Sequence, residues 1–253
     1  MIRLLRCEFM KTRRCYVFLT SIIICVLCMC WAFYGKIDDD TLRFGWMMNL
    51  YQFPLINAIF LPLLSMVTAS RLCGIEHKGL MLKQLCSIEK KERIYDAKLI
   101  YGLITIIICI LLMWCATVLQ GFAVGFEGEF PLKLYLLYLL FTIVPTVVIY
   151  VFQHSLSIIF KNQAVAFFVG IIGEFAGIFS MFLPNVPFLR KSLLWGYYGV
   201  LQFVGLFGWT KETRYENAYF DIMPIDWTFF WVLSAAGIII YFAGKRIFCK
   251  GEV

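Results

Sequence analysis

Six runs of mostly apolar residues, at 16–34, 49–70, 99–123, 132–160, 164–183 and 227–243, constrain this chain more than any other feature. Each is close to or above the ~20 residues with which a helix crosses about 30 Å of hydrocarbon. In that medium every backbone N–H and C=O must be satisfied within its own segment, so the runs are expected to be helices. Composition agrees: 62% of the chain is apolar and only 15% is charged, whereas a soluble domain is nearer half apolar and a quarter charged. Pro54, Pro62 and Pro145 fall inside runs and predict kinks.

Charge sets the orientation. With both termini inside, most of the 23 Lys and Arg lie on the cytoplasmic side, in 1–15, in 71–98, at Lys161 and after the last run. Asp38, Asp39, Asp40, Glu127, Glu129, Glu212, Glu216, Asp221 and Asp226 all fall outside. This is the positive-inside pattern. The net charge of +7 is then a statement about topology, and nucleic acid is not an expected partner. The basic start resembles that of a signal peptide, but no small-residue cleavage site follows the first run, which is expected to stay as a span. All 10 cysteines fall in cytoplasmic pieces or within runs, so no structural disulfide is expected. Cys25, Cys28 and Cys30 have metal-like spacing but no charged or His companion in a span, which favours packing over ligation.

Three segments outside the runs carry structure of their own. In 1–15, Ile2, Leu5 and Phe9 share a helical face while Arg3, Arg6 and Lys11 lie elsewhere, the pattern of an interfacial amphipathic helix. The 71–98 stretch between runs two and three is long and basic. Within it Met81, Leu85 and Ile88 fall at i, i+4 and i+7, so a helix at the cytoplasmic face would be apolar on one side. Such a helix suits docking on a soluble partner or lying on lipid headgroups; periodicity leaves both open. The outside loop 184–226 has an apolar middle, 193–209, that is short and glycine-rich for a span. A re-entrant or interfacial pair of short helices fits it, with Trp195, Tyr197, Tyr198 and Trp209 at headgroup depth.

Few residues offer chemistry. Glu174 is the one acid placed deep in a run, and Gly170, Glu174 and Gly177 fall at i, i+4 and i+7. A carboxylate in lipid costs several kcal/mol, on the order of 3 by insertion scales, and small residues admit a close neighbour. Glu174 is therefore expected to face protein or a water-filled cavity, either as a contact on a substrate path or as a packing residue at an interface. His77 and His154 belong to no His-Glu-x-x-His pattern, and no glycine-rich phosphate loop ending in Gly-Lys-[Ser/Thr] is present. An intramembrane enzyme is disfavoured, no cofactor or metal is expected on this chain, and nucleotide chemistry would have to come from another polypeptide.

These pieces in this order resemble a type-2 ABC transporter permease, in the branch serving lantibiotic immunity and related resistance to peptide antibiotics. The resemblance covers essentially the whole chain. The opening Leu4-Leu-Arg-Cys-Glu8-Phe-Met-Lys11 is similar to the family's amphipathic start. Glu76-His-Lys78-Gly79, followed by Leu85, Ile88, Arg93, Tyr95 and Lys98, resembles its segment between spans two and three. The 193–209 stretch looks like its re-entrant outer helices. The family often has Pro after the coupling helix; here the equivalent is Ser87-Ile88-Glu89-Lys90, which leaves the end of that helix open.

The resemblance implies one all-α integral membrane permease domain over 1–253, with six transmembrane helices and both termini inside. It implies an amphipathic N-terminal helix, a cytoplasmic coupling helix between spans two and three, and re-entrant extracellular helices between spans five and six. It implies a bacterial plasma membrane, a sister permease subunit, two copies of an ABC ATPase that bind ATP-Mg, and a cationic peptide substrate. The ATPase contact is expected at Glu76, Lys78, Met81, Lys83 and Leu85. Two readings stand beside it: a permease exporting another amphiphilic drug or lipid-linked molecule, and a membrane accessory or sensor protein without an ATPase.

Overall fold

A computed structural model describes residues 1–34, 38–78, 81–183, 186–210, 215 and 218–251. The chain is mostly helical. Helix α1 (Ile2–Arg14) meets α2 (Val17–Ala32) at a 68° bend. The bend falls at Tyr16, a non-glycine residue with φ of 53°. Then come α3 (Asp39–His77), a short α4 (Met81–Ile88), α5 (Lys91–Val124), α6 (Leu132–Ile159) and α7 (Gln163–Met181). Among the described residues five helices, α3, α5, α6, α7 and the last one, are long and apolar enough to cross a membrane; the bent α1–α2 pair makes six if it counts as one span. These overlap the six apolar runs.

Local chemistry explains the helix ends. Asp38 caps α3, its side chain accepting from the Thr41 N–H at 2.9 Å. Asn162 caps α7 through the Ala164 N–H in the same way. Helix α5 stops at Gly125, whose φ of 83° is a left-handed conformation that glycine adopts freely. Pro54, Pro62 and Pro145 all lie inside helices.

Helix α3 is the axis of the bundle and packs against α2, α5, α6 and α7. Its 39 residues span about 58 Å, so it projects beyond the hydrocarbon. One end of the bundle holds α1, α4, the start of α5 and the ends of α3, α6 and the last helix; this is the basic end. At the opposite, acidic end an aromatic cap closes the bundle. The Trp46 ring lies 4.9–5.8 Å from those of Phe122, Phe126, Phe130 and Tyr135. A side chain at Gly45 or Gly121 would strike Phe126 or Trp46, so both positions serve that closure.

The outer segment after α7 departs from the all-helical expectation. It contains two short helices, α8 (Pro187–Ser192) and α9 (Tyr197–Val200), with a 3-10 turn at Leu194–Gly196 between them. Two strands follow, β1 (Val204–Phe207) and β2 (Tyr219–Ile222), paired antiparallel from Val204↔Ile222 to Phe207↔Tyr219. The last helix, α10 (Trp227–Lys250), is capped by Asp226. Segment 193–209 contains no helix longer than four residues, and Val204–Phe207 within it is strand. Gly205 and Gly208 disfavour helix, and the alternation of Phe203, Gly205 and Phe207 suits a pleated ribbon.

Candidate functional site

The basic end brings together most of the residues singled out in the sequence. Helix α4 has two faces. Leu82 is buried and Cys86 is half-buried, and together they hold the helix to the bundle. Burial pushes the Cys86 thiol above its ordinary pKa, so it remains a neutral packing group. Met81 (42% exposed) and Ile88 (84% exposed) face away from the chain, with Lys83, Gln84 and Ser87 also exposed and Leu85 half-buried between them. The exposed apolar row is the one the i, i+4, i+7 spacing picks out. Lys78, just before α4, is also exposed.

Glu76 behaves differently from the other residues assigned to that outer face. It is 2% exposed and turned into the protein, where it belongs to a buried ionic cluster. Lys98 of α5 is the cluster's centre and has no exposed surface. Its ammonium donates to Glu8 Oε2 at 3.0 Å and to the Leu72 carbonyl at 3.0 Å, and lies 3.1 Å from Glu76 Oε1. Two acceptors thus take hydrogens of the ammonium, and Glu76 faces it as an ion pair. Lys11 of α1 closes the group, 2.8 Å from Glu76 Oε1 and 3.4 Å from Glu8 Oε1. Two lysines and two carboxylates balance, the condition under which charges tolerate burial.

This cluster explains how α1 sits. Glu8 and Thr12 face the bundle, while Ile2, Phe9 and Met10 are exposed. The apolar side of the amphipathic helix is thus turned away from the protein, as suits a helix lying in a lipid interface. Thr12 adds a hydrogen bond to the Tyr101 hydroxyl at 2.6 Å.

The first turns of α5 fasten the whole basic end. The Tyr95 hydroxyl meets Ser155 of α6 at 2.8 Å. Asp96 receives the Lys245 ammonium at 2.7 and 2.9 Å and the Tyr241 hydroxyl at 2.8 Å, both from α10. Lys98 ties α1 and α3, and Tyr101 ties α1 again. His154 is buried between the rings of Tyr95 and Tyr150, with Nδ1 3.7 Å from Cys73 Sγ. His77 reaches the Ser157 carbonyl through Nε2 at 3.1 Å. Among the described residues no group of three His, Cys, Asp or Glu is arranged to hold a metal; Cys25 and Cys28 are buried and Cys30 is exposed.

A cavity of about 190 Å³ opens beside α4. Leu82, Ile158, Ile159, Ile247 and Phe248 wall it, Lys83 and Lys161 stand with it, and Glu76, His77 and Gly251 complete the lining.

The other expected site lies toward the acidic end. Gly170, Gly173 and Gly177 form the buried side of α7. A side chain at Gly173 or Gly177 would collide with Trp195, and one at Gly170 with Met66. Glu174 sits half-buried beside this stripe rather than at its centre. Of the four aromatics expected at headgroup depth, Trp195, Tyr197 and Tyr198 are buried within the chain. Trp195 sits on α7 and edge-on to Phe152, 5.6 Å between ring centres, and Tyr198 shares a 2.8 Å hydrogen bond with Thr146. Trp209 is the exposed one. The glycines admit the indole so closely that protein replaces lipid around it.

A family model described as ABC-2 family transporter protein matches residues 4–177, from the start of α1 through the glycine stripe of α7. The chain belongs to this family. As an ABC-2 family transporter protein it is a multi-pass membrane component of a transport system, and transport rather than catalysis is its task. The match spans the ionic cluster, α4 and Glu174, and stops before the outer segment with Trp195. A comparison with curated proteins finds no match. Glu8 and Lys98 carried only a weak signal in the sequence, an acid inside a basic amphipathic start and a lysine closing the basic 71–98 stretch.

Proposed function

We propose that this chain is the membrane subunit of an ATP-driven exporter, coupled through α4 to a separate ABC ATPase. The observation that carries the reading is the two-sidedness of α4. Leu82 anchors it, while Met81, Lys83 and Ile88 are presented outward with Leu85 between them. An apolar row with adjacent cations suits a protein groove. ABC-2 permeases typically work with an ATPase. In this reading two ATPase copies bind ATP-Mg and push on α4 and Lys78, and a sister permease completes the membrane unit in a bacterial plasma membrane. Glu76 serves from behind, by fixing α3 to α1 and α5.

The substrate in this reading is an amphiphilic cationic peptide of the lantibiotic kind, expelled from the membrane before it forms pores, so that the complex confers immunity. The acids of the outer segments and Glu174, half-buried in α7, support a cationic cargo. Solubilising native membranes and identifying what co-purifies with this chain tests the coupling. The expected companions are an ATPase with a phosphate-binding loop and a second permease. Recovery of the chain alone across several mild detergents would favour an accessory or sensor protein. For the cargo, peptide accumulation on cells should rise when the ATPase is inactivated; unchanged accumulation would overturn the peptide reading.

A further inference from the structure

Helices α2 and α5 pack side by side and run in the same direction. Phe18 and Leu19 lie level with Ile104 and Ile108, and farther along Cys25 and Met29 lie level with Leu112 and Met113. Each helix carries a Cys-x-x-x-Met step, Cys25 to Met29 on α2 and Cys109 to Met113 on α5. Residues four apart share a helix face, and here the two faces meet. The Cys25 and Cys109 thiols are hydrogen-bonded to each other across the helix contact. Cys25, Met29 and Met113 line a single cleft of about 440 Å³. Cys25, Cys109 and Met113 are buried and Met29 is half-buried. Sulfur from two neighbouring helices is thus gathered in the apolar interior, where neither α4 docking nor a cargo contact at Glu174 uses it.

We infer that the two Cys-x-x-x-Met steps form a binding site for a soft monovalent cation, Cu(I) or its analogue Ag(I). Soft thiolate and thioether donors select such an ion. Zn(II) takes thiolate, imidazole or carboxylate ligands, and among the described residues no three of His, Cys, Asp or Glu are grouped to supply them. Charge decides how the ion is held, because a net charge within hydrocarbon is costly. As the cation enters, one thiol of the Cys25–Cys109 pair loses its proton to water, and its S–H bond is replaced by a sulfur–metal bond. One positive charge arrives and one departs, so the site stays neutral and no atom is oxidised or reduced. The second thiol keeps its proton and donates to the new thiolate. Met29 and Met113 add neutral sulfur from the cleft. The bound ion ties α2 to α5. This inference depends on neither the ATPase nor the peptide reading.

The full-length chain, purified in detergent, reduced and kept free of oxygen, is titrated with Cu(I) against a chromogenic Cu(I) chelator, with Ag(I) and Zn(II) in parallel. Cu(I) and Ag(I) should each be held at about one ion per chain, with about one proton released per ion, and Zn(II) should not displace them. Met113→Leu keeps volume and apolar character and should weaken Cu(I) binding by at least about tenfold, with thermal unfolding unchanged. Cys25→Ser with Cys109→Ser should abolish it. Cys7→Ser with Cys115→Ser, on exposed thiols, should leave it intact. X-ray absorption of the Cu(I)-loaded wild-type chain reads the ligands without any variant, and a shell of sulfur alone is expected. Oxygen or nitrogen in that shell overturns the inference. So does undiminished binding in Cys25→Ser with Cys109→Ser, loss of binding in Cys7→Ser with Cys115→Ser, or displacement of Cu(I) by Zn(II). Co-purification of an ATPase is scored separately, so either reading can fail without the other.

Discussion

Lys98 Nζ lies 3.1 Å from Glu76 Oε1, deep in the basic end, with no solvent-exposed surface on the lysine. Together with Glu8 and Lys11 the pair joins three helices that are far apart in sequence. Removing one partner strands an uncompensated buried charge, which costs about 3–5 kcal/mol. Lys98→Met should therefore reduce folded, monodisperse protein sharply, measured by thermal unfolding in detergent. Lys11→Met should cost less, because Lys11 keeps 26% of its side chain exposed. Lys98→Arg, which keeps the charge, should recover part of the loss seen in Lys98→Met; no recovery would mean that packing dominates.

The two faces of α4 should separate stability from coupling. Ile88→Asp changes an exposed side chain and should leave the melting temperature within about 2 °C, a shift of under ~0.5 kcal/mol. It should nevertheless weaken co-purification of the ATPase. Leu82→Asp buries a charge and should destabilise the chain itself. If Ile88→Asp leaves the ATPase fully bound, α4 is not the docking surface.

The glycine stripe of α7 makes a steric prediction. Gly173→Leu and Gly177→Leu place side chains where Trp195 lies, and both should lose the compact species in size-exclusion chromatography. Trp195→Ala leaves a void instead and should cost about 3–5 kcal/mol. Wild-type behaviour of Gly173→Leu would show that the outer segment does not rest on α7.

Glu174 tests the cargo rather than the fold. Glu174→Gln keeps shape and removes charge. It should lower peptide resistance in cells while expression stays normal; full resistance would remove Glu174 as a substrate contact.

The spans were legible because hydrocarbon imposes a length and an apolar composition, and the apolar row of α4 was legible because helical period is local. The partners of Lys98 were not. Glu8 lies 90 residues away, and a lysine bounding a basic loop reads as solvated until α5 is seen to begin at Lys91. The inward turn of Glu76 is not legible locally either: its neighbour Lys78 is exposed, and only the phase of Glu76 on α3 turns it inward. The outer aromatics looked like interface anchors because Trp and Tyr suit headgroups. What draws Trp195 inside is the bare side of α7 opposite it, a complementarity between two segments that neither displays alone.

The turns of α5 that carry Tyr95, Asp96, Lys98 and Tyr101 bind it to α6, α10, α3 and α1. A helix clamped so firmly at one end cannot slip there; it can only tilt with the clamp. The 34 residues of α5 measure about 51 Å. Rotating the clamped end by about 5° therefore carries the far end sideways by about 4 Å over that length. That is the scale of an aromatic ring, and the far end is where Gly121 and Phe122 touch Trp46. A tilt of that size at the basic end would carry Gly121 and Phe122 against Trp46.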